Sequence, residues 1–241
     1  MVPSWTETLI QCGIEVVGRT RYCIHPADKI KSIPVVGGTK DFSLEKIKAL
    51  GADFLILDRE ENPKIMANSS PIPFISSHVT CVDDVARDLK IVGDALETHS
   101  LQPIIERWQK IALKKTNTRE LISLPGVLEW LKKPSVETDL FIYLIWRDPW
   151  MAASPDTFIG SVLEKLGFGP FMVPFDQKYP VVNLSKYDPE KTLLVFSSEP
   201  YPFHKKKKLL SELPNPAVLV DGESFSWFGS RALEFLEKNT V

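Results

Sequence analysis

Cysteine is scarce in this sequence, and charge of one sign does not dominate it. The three cysteines, Cys12, Cys23 and Cys81, show no CxxC spacing, and their odd number excludes a fully paired set of disulfides. The 29 basic and 31 acidic residues leave a net charge of −2, which indicates neither a nucleic-acid partner nor a disordered acidic tail. With 44% hydrophobic residues in 241 positions, the chain has enough apolar mass for two cores.

Catalytic motifs are also missing. The four histidines, His25, His78, His99 and His204, form neither an HExxH motif nor an i, i+4 pair. No GxSxG or GxxxxGKS/T sequence occurs, and the Gly-Gly-Thr-Lys turn at 37–40 is too short for a phosphate loop. Because no nucleophile can be paired with a base, we predict that the protein is not an enzyme.

Long apolar runs are lacking as well. No stretch reaches 18 apolar residues, so we expect no membrane span. The first residues show neither the basic region nor the apolar region of a signal peptide. Taken alone, this pattern predicts a cytosolic chain or a fragment of an exported protein.

What the sequence does contain is an alternation of helices and apolar strands in each half. In the first half, a helix at 6–12 comes before a short strand at 16–18, and a Ser-capped helix at 43–50 leads into a strand at 53–57. The second half repeats this order, with a helix at 156–166, a short strand at 171–173, a helical turn at 184–188 and a strand at 192–196. The repeated order predicts two similar α/β lobes.

Two longer helices, predicted at 82–96 and 100–115 from their apolar spacing, separate the two halves. We therefore divide the chain into an N-terminal α/β lobe at 1–97, a connecting helix at 98–118 and a C-terminal α/β lobe at 119–241. Ligands of open α/β sheets bind beyond the carboxyl ends of the strands. Two such lobes predict a ligand cleft between them.

Aromatic residues are concentrated directly after predicted strands of the second half. Trp146 and Trp150 follow a strand at 140–145, and Trp227 lies in the segment after a strand at 217–220. Aromatic rings give rigid, extended contacts at low entropic cost, and stacking adds roughly 0.5–1.5 kcal/mol per pair. These residues predict a flat, apolar ligand, and packing into the core of one lobe is the alternative interpretation.

The loop at 19–26 contains Tyr22 and His25. A neutral imidazole is a common metal ligand, so His25 is a candidate ligand for a metal centre carried by a bound molecule, and Cys23 is a second candidate. A structural or surface histidine is the alternative. The four lysines at 205–208 indicate the start of a solvated helix rather than a patch for an anionic partner.

Several segments resemble the helical-backbone metal-receptor superfamily, the substrate-binding proteins of ABC importers for cobalamin, iron siderophores and haem. In the first half they are PSWTE at 3–7, VGRTRY at 17–22, GGTK at 37–40 and SLEKI at 43–47. In the second half, segments resemble the cobalamin-binding branch: IWRDPWMAA at 145–153, SSEPYPF at 197–203 and DGESFSWFGSR at 221–231. The resemblance extends over essentially the whole chain.

The resemblance implies the α/β fold of a class III periplasmic binding protein, with two Rossmann-like lobes bridged by a long α-helix. It implies a corrinoid such as cobalamin as the transported ligand rather than as an intrinsic cofactor, with haem or a ferric siderophore as alternatives. Together with the aromatic pattern, it gives the following predicted ligand-binding residues: Trp5, Tyr22, His25, Trp146, Trp150, Glu223, Phe225, Ser226 and Trp227.

The resemblance also implies a monomer in the periplasm or at the cell surface that docks on the permease of an ABC importer. Family members dock through an acidic residue on each lobe; Glu45 matches the first position, whereas Ser185 stands at the second. They also carry an apolar strand and an export signal before the PSxTE segment, and both are missing in this sequence. An intracellular corrinoid-handling protein is therefore a further alternative.

Overall fold

The computed structural model describes residues 1–240 and shows an α/β protein. The chain divides into two compact units. The first comprises Met1–Leu113 and Trp227–Leu233, and the second comprises Lys114–Ser226 and the described residues from Glu234 onwards. The α/β class agrees with the sequence analysis, whereas the lobe boundaries drawn there stay a prediction.

The first unit contains two pairs of parallel strands. β1 (Arg19–Thr20) pairs with β2 (Val35–Gly37), and β3 (Leu55–Asp58) pairs with β4 (Phe74–Ser77). The helices of this unit are α1 (Pro3–Gln11), α2 (Leu44–Ala49), α3 (Lys64–Asn68), α4 (Val82–Ala95) and α5 (Gln102–Leu113).

The strand predicted at 16–18 is wrong in position, because the observed strand starts at Arg19. The amide nitrogen of Arg19 donates to the carbonyl of Pro34, 3.0 Å away, and this is the first hydrogen bond of the ladder between β1 and β2. Val16 packs instead against a small apolar cluster that includes Ile10 and Ile30. Tertiary packing of the valine, rather than strand pairing, therefore accounts for the apolar character of this segment.

The two strand pairs of the first unit are not hydrogen-bonded to each other within residues 1–240. A cavity of about 340 Å³ is lined by residues of both pairs, among them Val36 and Leu55. The α-amino nitrogen of Met1 donates to the carbonyl of Ile56, 2.5 Å away, and so lies beside β3. The first unit thus has two short ladders and a cavity instead of one continuous sheet.

The helices predicted at 82–96 and 100–115 are confirmed as α4 and α5. In α5, Ile104, Trp108 and Ile111 lie on one buried face, as their spacing predicts. α5 belongs to the first unit, and its role as the bridge between two lobes stays a prediction. None of the helices within residues 1–240 is long and apolar enough to cross a membrane.

The second unit is built on one five-stranded sheet in the order β5-β9-β8-β6-β7. β6, β8 and β9 run parallel in its centre, while β5 and β7 are antiparallel edge strands that the sequence analysis did not predict. β8 is buried at every position, as expected for a strand covered on both faces. The bounds are β5 (Val127–Lys132), β6 (Leu140–Trp146), β7 (Met151–Ala153), β8 (Thr192–Ser197) and β9 (Ala217–Val220).

The strand predicted at 171–173 is also wrong. The segment Gly169–Phe171 forms a 3₁₀ turn, and Met172 makes only an isolated bridge to Phe141. Pro170 has no amide hydrogen for a ladder, which favours the turn. The helices after this point are α7 (Lys207–Ser211), α8 (Gly222–Ser226) and α9 (Ser230–Asn239), and α6 (Phe158–Lys165) comes before it.

Candidate ligand-binding site

Three loops meet at one edge of the sheet in the second unit. β6, β8 and β9 are parallel neighbours, so their carboxyl ends lie along the same edge. The turn at 147–150 follows β6, the segment at 198–202 follows β8, and α8 begins directly beyond β9. This is the edge at which open α/β sheets bind ligands.

Trp146 and Tyr201 form an aromatic surface at this edge. Trp146 is the last residue of β6, and the hairpin to β7 places Met151 opposite it. The indole is 41% exposed, and its centre lies 5.4 Å from that of the Tyr201 ring at an angle of 75°. Two partly exposed rings in edge-to-face contact offer a rigid apolar surface for a flat ligand.

Trp150 anchors the same hairpin in the core of the second unit. Its ring stacks on Phe203 at 6.1 Å and 12°, and it lies 6.0 Å from the ring of Phe196. The guanidinium carbon of Arg147 is 5.6 Å from the centre of the Trp150 ring. The hairpin therefore holds a cation against an aromatic face, beside the aromatic surface of Trp146 and Tyr201. We call Trp146, Arg147, Trp150 and Tyr201 the second-unit patch.

Polar groups occupy the part of this edge that β8 and β9 supply. The hydroxyl of Ser198 accepts a hydrogen bond from the amide of Gly222 at 2.9 Å. The hydroxyl of Ser226 lies 3.1 Å from a carboxylate oxygen of Glu199 and 2.8 Å from the carbonyl oxygen of Gly222. Glu223 is half-buried in the first turn of α8. The predicted residues Glu223 and Ser226 thus lie among hydrogen-bonding groups next to Glu199.

Phe225 has a different environment. Its side chain is fully buried, with ring centres 5.6 Å from Tyr143 and 4.9 Å from Phe235. Burial also raises the pKa of Tyr143 far above its ordinary value, so this hydroxyl stays protonated, 3.4 Å from Ser197. Phe225 belongs to the core of the second unit and is not open to a ligand in this structure.

In the first unit, His25 packs against Trp227. Their ring centres are 5.6 Å apart at an angle of 71°. The guanidinium carbon of Arg231 lies 5.5 Å from the centre of the same indole, and Arg231 donates to both carboxylate oxygens of Glu7, at 3.0 and 2.6 Å. A bidentate ion pair thus fixes the cation that holds Trp227 in place.

The loop that carries His25 also presents apolar groups to solvent. Tyr22 is 52% exposed, and the guanidinium carbon of Arg21 lies 5.9 Å from its ring centre. Arg21 also forms an exposed ion pair with Asp41 at 2.6 Å. We call Tyr22, His25 and Trp227 the first-unit patch. Its three members were all predicted from the sequence. The indole of Trp227 is itself buried, with 8% of the residue exposed, so in this structure it supports His25 rather than presenting an open face to a ligand.

Cys23 does not accompany His25 as a second metal ligand. Its thiol is buried, 3.2 Å from the hydroxyl of Thr6 and 3.1 Å from that of Thr20. Within residues 1–240, no group of three or more His, Cys, Asp or Glu side chains could hold a metal ion.

Trp5 is a core residue in this structure. It is 1% exposed, its indole nitrogen donates to the hydroxyl of Ser77 at 2.8 Å, and its ring lies 5.0 Å from that of Phe228. The same hydroxyl lies 2.8 Å from a carboxylate oxygen of buried Asp58. Trp5 thus supports the first unit from inside, and its ring is not open to a ligand.

The two positions considered for docking on a permease are both exposed. Glu45 lies in the first turn of α2, where its own backbone amide and the hydroxyl of Ser43 lower the pKa of its carboxyl group. Ser185 lies in a 3₁₀ turn, and its hydroxyl bonds to the side chain of Asn183 at 2.8 Å. Glu45 therefore presents a negative charge and Ser185 none, as the sequence indicates.

Sequence reasoning missed Arg147, Glu7 and Arg231. Arg147 stands between two tryptophans directly after a strand, a signal that could have indicated its position in the patch. The contact between Glu7 and Arg231 joins residues from opposite ends of the chain, and no local pattern indicates it. The ligand-binding roles themselves stay predictions for every residue.

Comparison with family models and with curated proteins gives no match for this chain. Solved structures do match. The periplasmic vitamin B12 binding protein BtuF of Vibrio cholerae has a TM-score of 0.65 at 15% identity, over 99% of this chain and 92% of its own. An ABC transporter substrate-binding protein from Listeria monocytogenes has a TM-score of 0.67 at 14% identity, over 99% and 94%.

A third similar structure is that of S. aureus IsdE complexed with heme. It has a TM-score of 0.66 at 13% identity, over 98% of this chain and 94% of its own. These similarities show that the chain has the fold of the class III periplasmic binding proteins, as the sequence resemblance implies. The matched regions cover nearly the full length of each protein and include both units of this chain.

Proposed function

We propose that this protein is the substrate-binding protein of an ABC importer and that it captures a metal chelate, in the first place a corrinoid such as cobalamin. The observation that carries the proposal is the second-unit patch, in which Trp146 and Tyr201 lie at the carboxyl ends of parallel strands. The fold supports it, since a vitamin B12 binding protein and an ABC transporter substrate-binding protein share it.

The polar groups beside the patch support a corrinoid in particular. A corrin ring carries amide side chains at its rim, and these donate hydrogen bonds. Glu199, Glu223 and Ser226 offer oxygen acceptors at the same sheet edge as the aromatic rings. A ligand with a flat face and a rim of amides would use both kinds of group.

Haem or a ferric siderophore is the second candidate, and His25 is the observation that favours it. The imidazole is half-buried and held against Trp227, in a loop that also exposes Tyr22. Imidazole and phenolate are both protein ligands of iron. Binding proteins with the same fold and a bound heme support this alternative.

The proposal includes a periplasmic or cell-surface location, a monomeric state and docking on a permease through Glu45. The charge of Glu45 is exposed and would suit an arginine of a partner. A charge reversal, Glu45→Lys, should lower ligand-stimulated ATP hydrolysis by a reconstituted permease and leave ligand affinity unchanged. Ligand binding without any interaction with a permease would favour the intracellular corrinoid-handling protein instead.

The test of the ligand is a titration with cyanocobalamin, cobinamide, haem and a ferric siderophore, followed by tryptophan fluorescence. We expect saturable quenching by cobalamin in the micromolar range or below. Trp146→Ala should weaken binding about tenfold, which corresponds to about 1.4 kcal/mol. Trp130→Phe is the matched control, because Trp130 lies in edge strand β5 and should be replaced without loss of affinity.

The results separate the candidates. Quenching by haem or the siderophore but not by cobalamin would overturn the corrinoid assignment. Equal affinities of the Trp146→Ala and Trp130→Phe proteins would show that the second-unit patch does not contact the ligand. No binding of any of the four compounds would overturn the proposed class of ligand.

A further inference from the structure

The guanidinium group of Arg147 contains a buried nitrogen that donates no hydrogen bond within the described part of the chain. The Nε atom is inaccessible to solvent and has no hydrogen-bond partner within residues 1–240. A buried donor left without an acceptor costs roughly 1–3 kcal/mol. A buried donor without an acceptor calls for a specific explanation, and a bound group close to it is one.

The rest of the guanidinium group is held in place but not neutralised by the protein interior. The side chain is 23% exposed, and the face of Trp150 lies 5.6 Å from its central carbon. Its ion pair is with Asp148, at 3.3 Å, and that side chain is 75% exposed. An exposed pair of this kind is screened by water and contributes little. The cation therefore retains much of its capacity to bind another anion.

The surroundings of Arg147 indicate what kind of molecule would bring that anion. It is the first residue of the turn after β6, next to Trp146, whose indole contacts the ring of Tyr201. A group that reaches the guanidinium would thus be attached to a molecule whose apolar part can lie on the aromatic rings. A planar guanidinium fork matches the paired oxygens of a carboxylate or phosphate.

We infer that Arg147 binds an anionic oxygen group carried at the rim of the ligand. The inference rests on the proposed function and deepens it. In a corrinoid with its nucleotide loop the group is a phosphodiester, and in haem it is a propionate carboxylate. Glu199 and Ser226, the hydrogen-bond acceptors of the same sheet edge, follow β8 and β9. Arg147 follows β6, so the anion-binding group and these acceptors occupy different parts of the edge.

The test compares ligands that differ in the anionic group, in wild-type protein and in Arg147→Ala and Arg147→Lys variants. The pairs are cobalamin with cobinamide, which lacks the nucleotide and its phosphodiester, and haem with haem dimethyl ester. For the pair that binds, we expect Arg147→Ala to lower the affinity for the member with the anionic group about tenfold or more. The affinity for the member without that group should fall by less than twofold. Arg147→Lys should retain part of the preference.

Lys191→Ala is the charge-matched control. Lys191 lies just before β8, at the amino end of the strands, and pairs weakly with Asp139 at 3.7 Å. The Lys191→Ala substitution removes one positive charge from the same unit and leaves the second-unit patch unchanged. It should therefore change the affinity for neither member of a ligand pair. Melting temperatures of all variants should stay within a few degrees of the wild type, because Arg147 makes no buried hydrogen bond through Nε.

Equal losses for both members of a pair in Arg147→Ala would overturn the inference while leaving the proposed function intact. An equal effect of Lys191→Ala and Arg147→Ala would also overturn it, since the effect would then come from net charge alone. Failure of the wild-type protein to bind any of these four ligands would overturn this inference, and failure to bind a ferric siderophore as well would overturn the proposed function. A selective loss with the cobalamin pair would identify the group as the phosphodiester, and with the haem pair as the carboxylate.

Discussion

The imidazole of His25 packs edge-on against the indole of Trp227, with ring centres 5.6 Å apart. The two residues come from distant parts of the sequence, the loop after β1 and the segment between α8 and α9. Arg231 lies against the same indole and is held by Glu7. The position of the only histidine predicted to bind a metal is thus set by a series of contacts that ends in a partly buried ion pair.

For the haem-bound form, we expect His25→Ala to shift the main visible absorption band and added imidazole to restore it. The physical reason is the loss, and then the replacement, of a nitrogen ligand to iron. Trp227→Leu should weaken haem binding several-fold but leave the band in place, because the ligand atom is retained. An unchanged spectrum of the His25→Ala complex would show that this histidine does not ligate the metal.

Asp148→Asn should raise the affinity for a ligand that carries an anionic rim group two- to five-fold. The change removes the carboxylate that lies 3.3 Å from Arg147 and leaves a residue that tolerates the backbone φ of 63° at this position. The gain should shrink at high salt, since screening already weakens an exposed charge. Isothermal titration at two salt concentrations measures both effects, and a loss of affinity would show that Asp148 itself assists binding.

Glu7→Gln should lower the free energy of unfolding by about 2–3 kcal/mol. The carboxylate is buried and accepts two hydrogen bonds from Arg231, and removal of one partner leaves a partly buried charge uncompensated. Urea unfolding measures the change. Asp41→Asn is the matched control, because its pair with Arg21 is exposed to solvent and should contribute much less to stability. Similar losses in the two variants would contradict this assignment.

Much of the fold could be predicted because its signals are local. α4, α5 and β8 each carry their apolar pattern within the element, and Ser43 caps α2 as its position predicts. Edge strands β5 and β7 carry weaker signals. β5 is only partly buried and β7 has three residues, so neither shows a run that distinguishes it from a loop.

The candidate site was harder to predict, because burial of an aromatic ring depends on distant contacts. Trp5 and Trp146 both lie near loops in the sequence, yet Trp5 donates to Ser77 inside the first unit and Trp146 remains 41% exposed. Phe225 and Trp227 are only two residues apart, but they belong to different units. The sequence pattern predicts which segments lie near the site, and tertiary contacts determine which aromatic rings are exposed to a ligand.

The stability of the chain with a free α-amino group at Met1 should rise between about pH 6 and pH 8. Burial lowers the pKa of this amine from 8.0 to about 6, so the unfolded chain binds a proton in that range that the folded chain does not. Stability therefore increases with pH through the window and levels off on both sides. A shift of about two pKa units corresponds to about 2–3 kcal/mol.

Nα-acetylation provides the control for this pH dependence, because an acetylated nitrogen carries no titrating proton and still has one hydrogen to donate to the Ile56 carbonyl. Urea unfolding of both forms from pH 5 to pH 9 gives two curves whose difference isolates the amine from every other titrating group. We expect the acetylated chain to lack the rise and to be the more stable form at pH 5. Parallel curves would show that the amine is hydrated in solution and that the side of β3 next to Met1 is open to water.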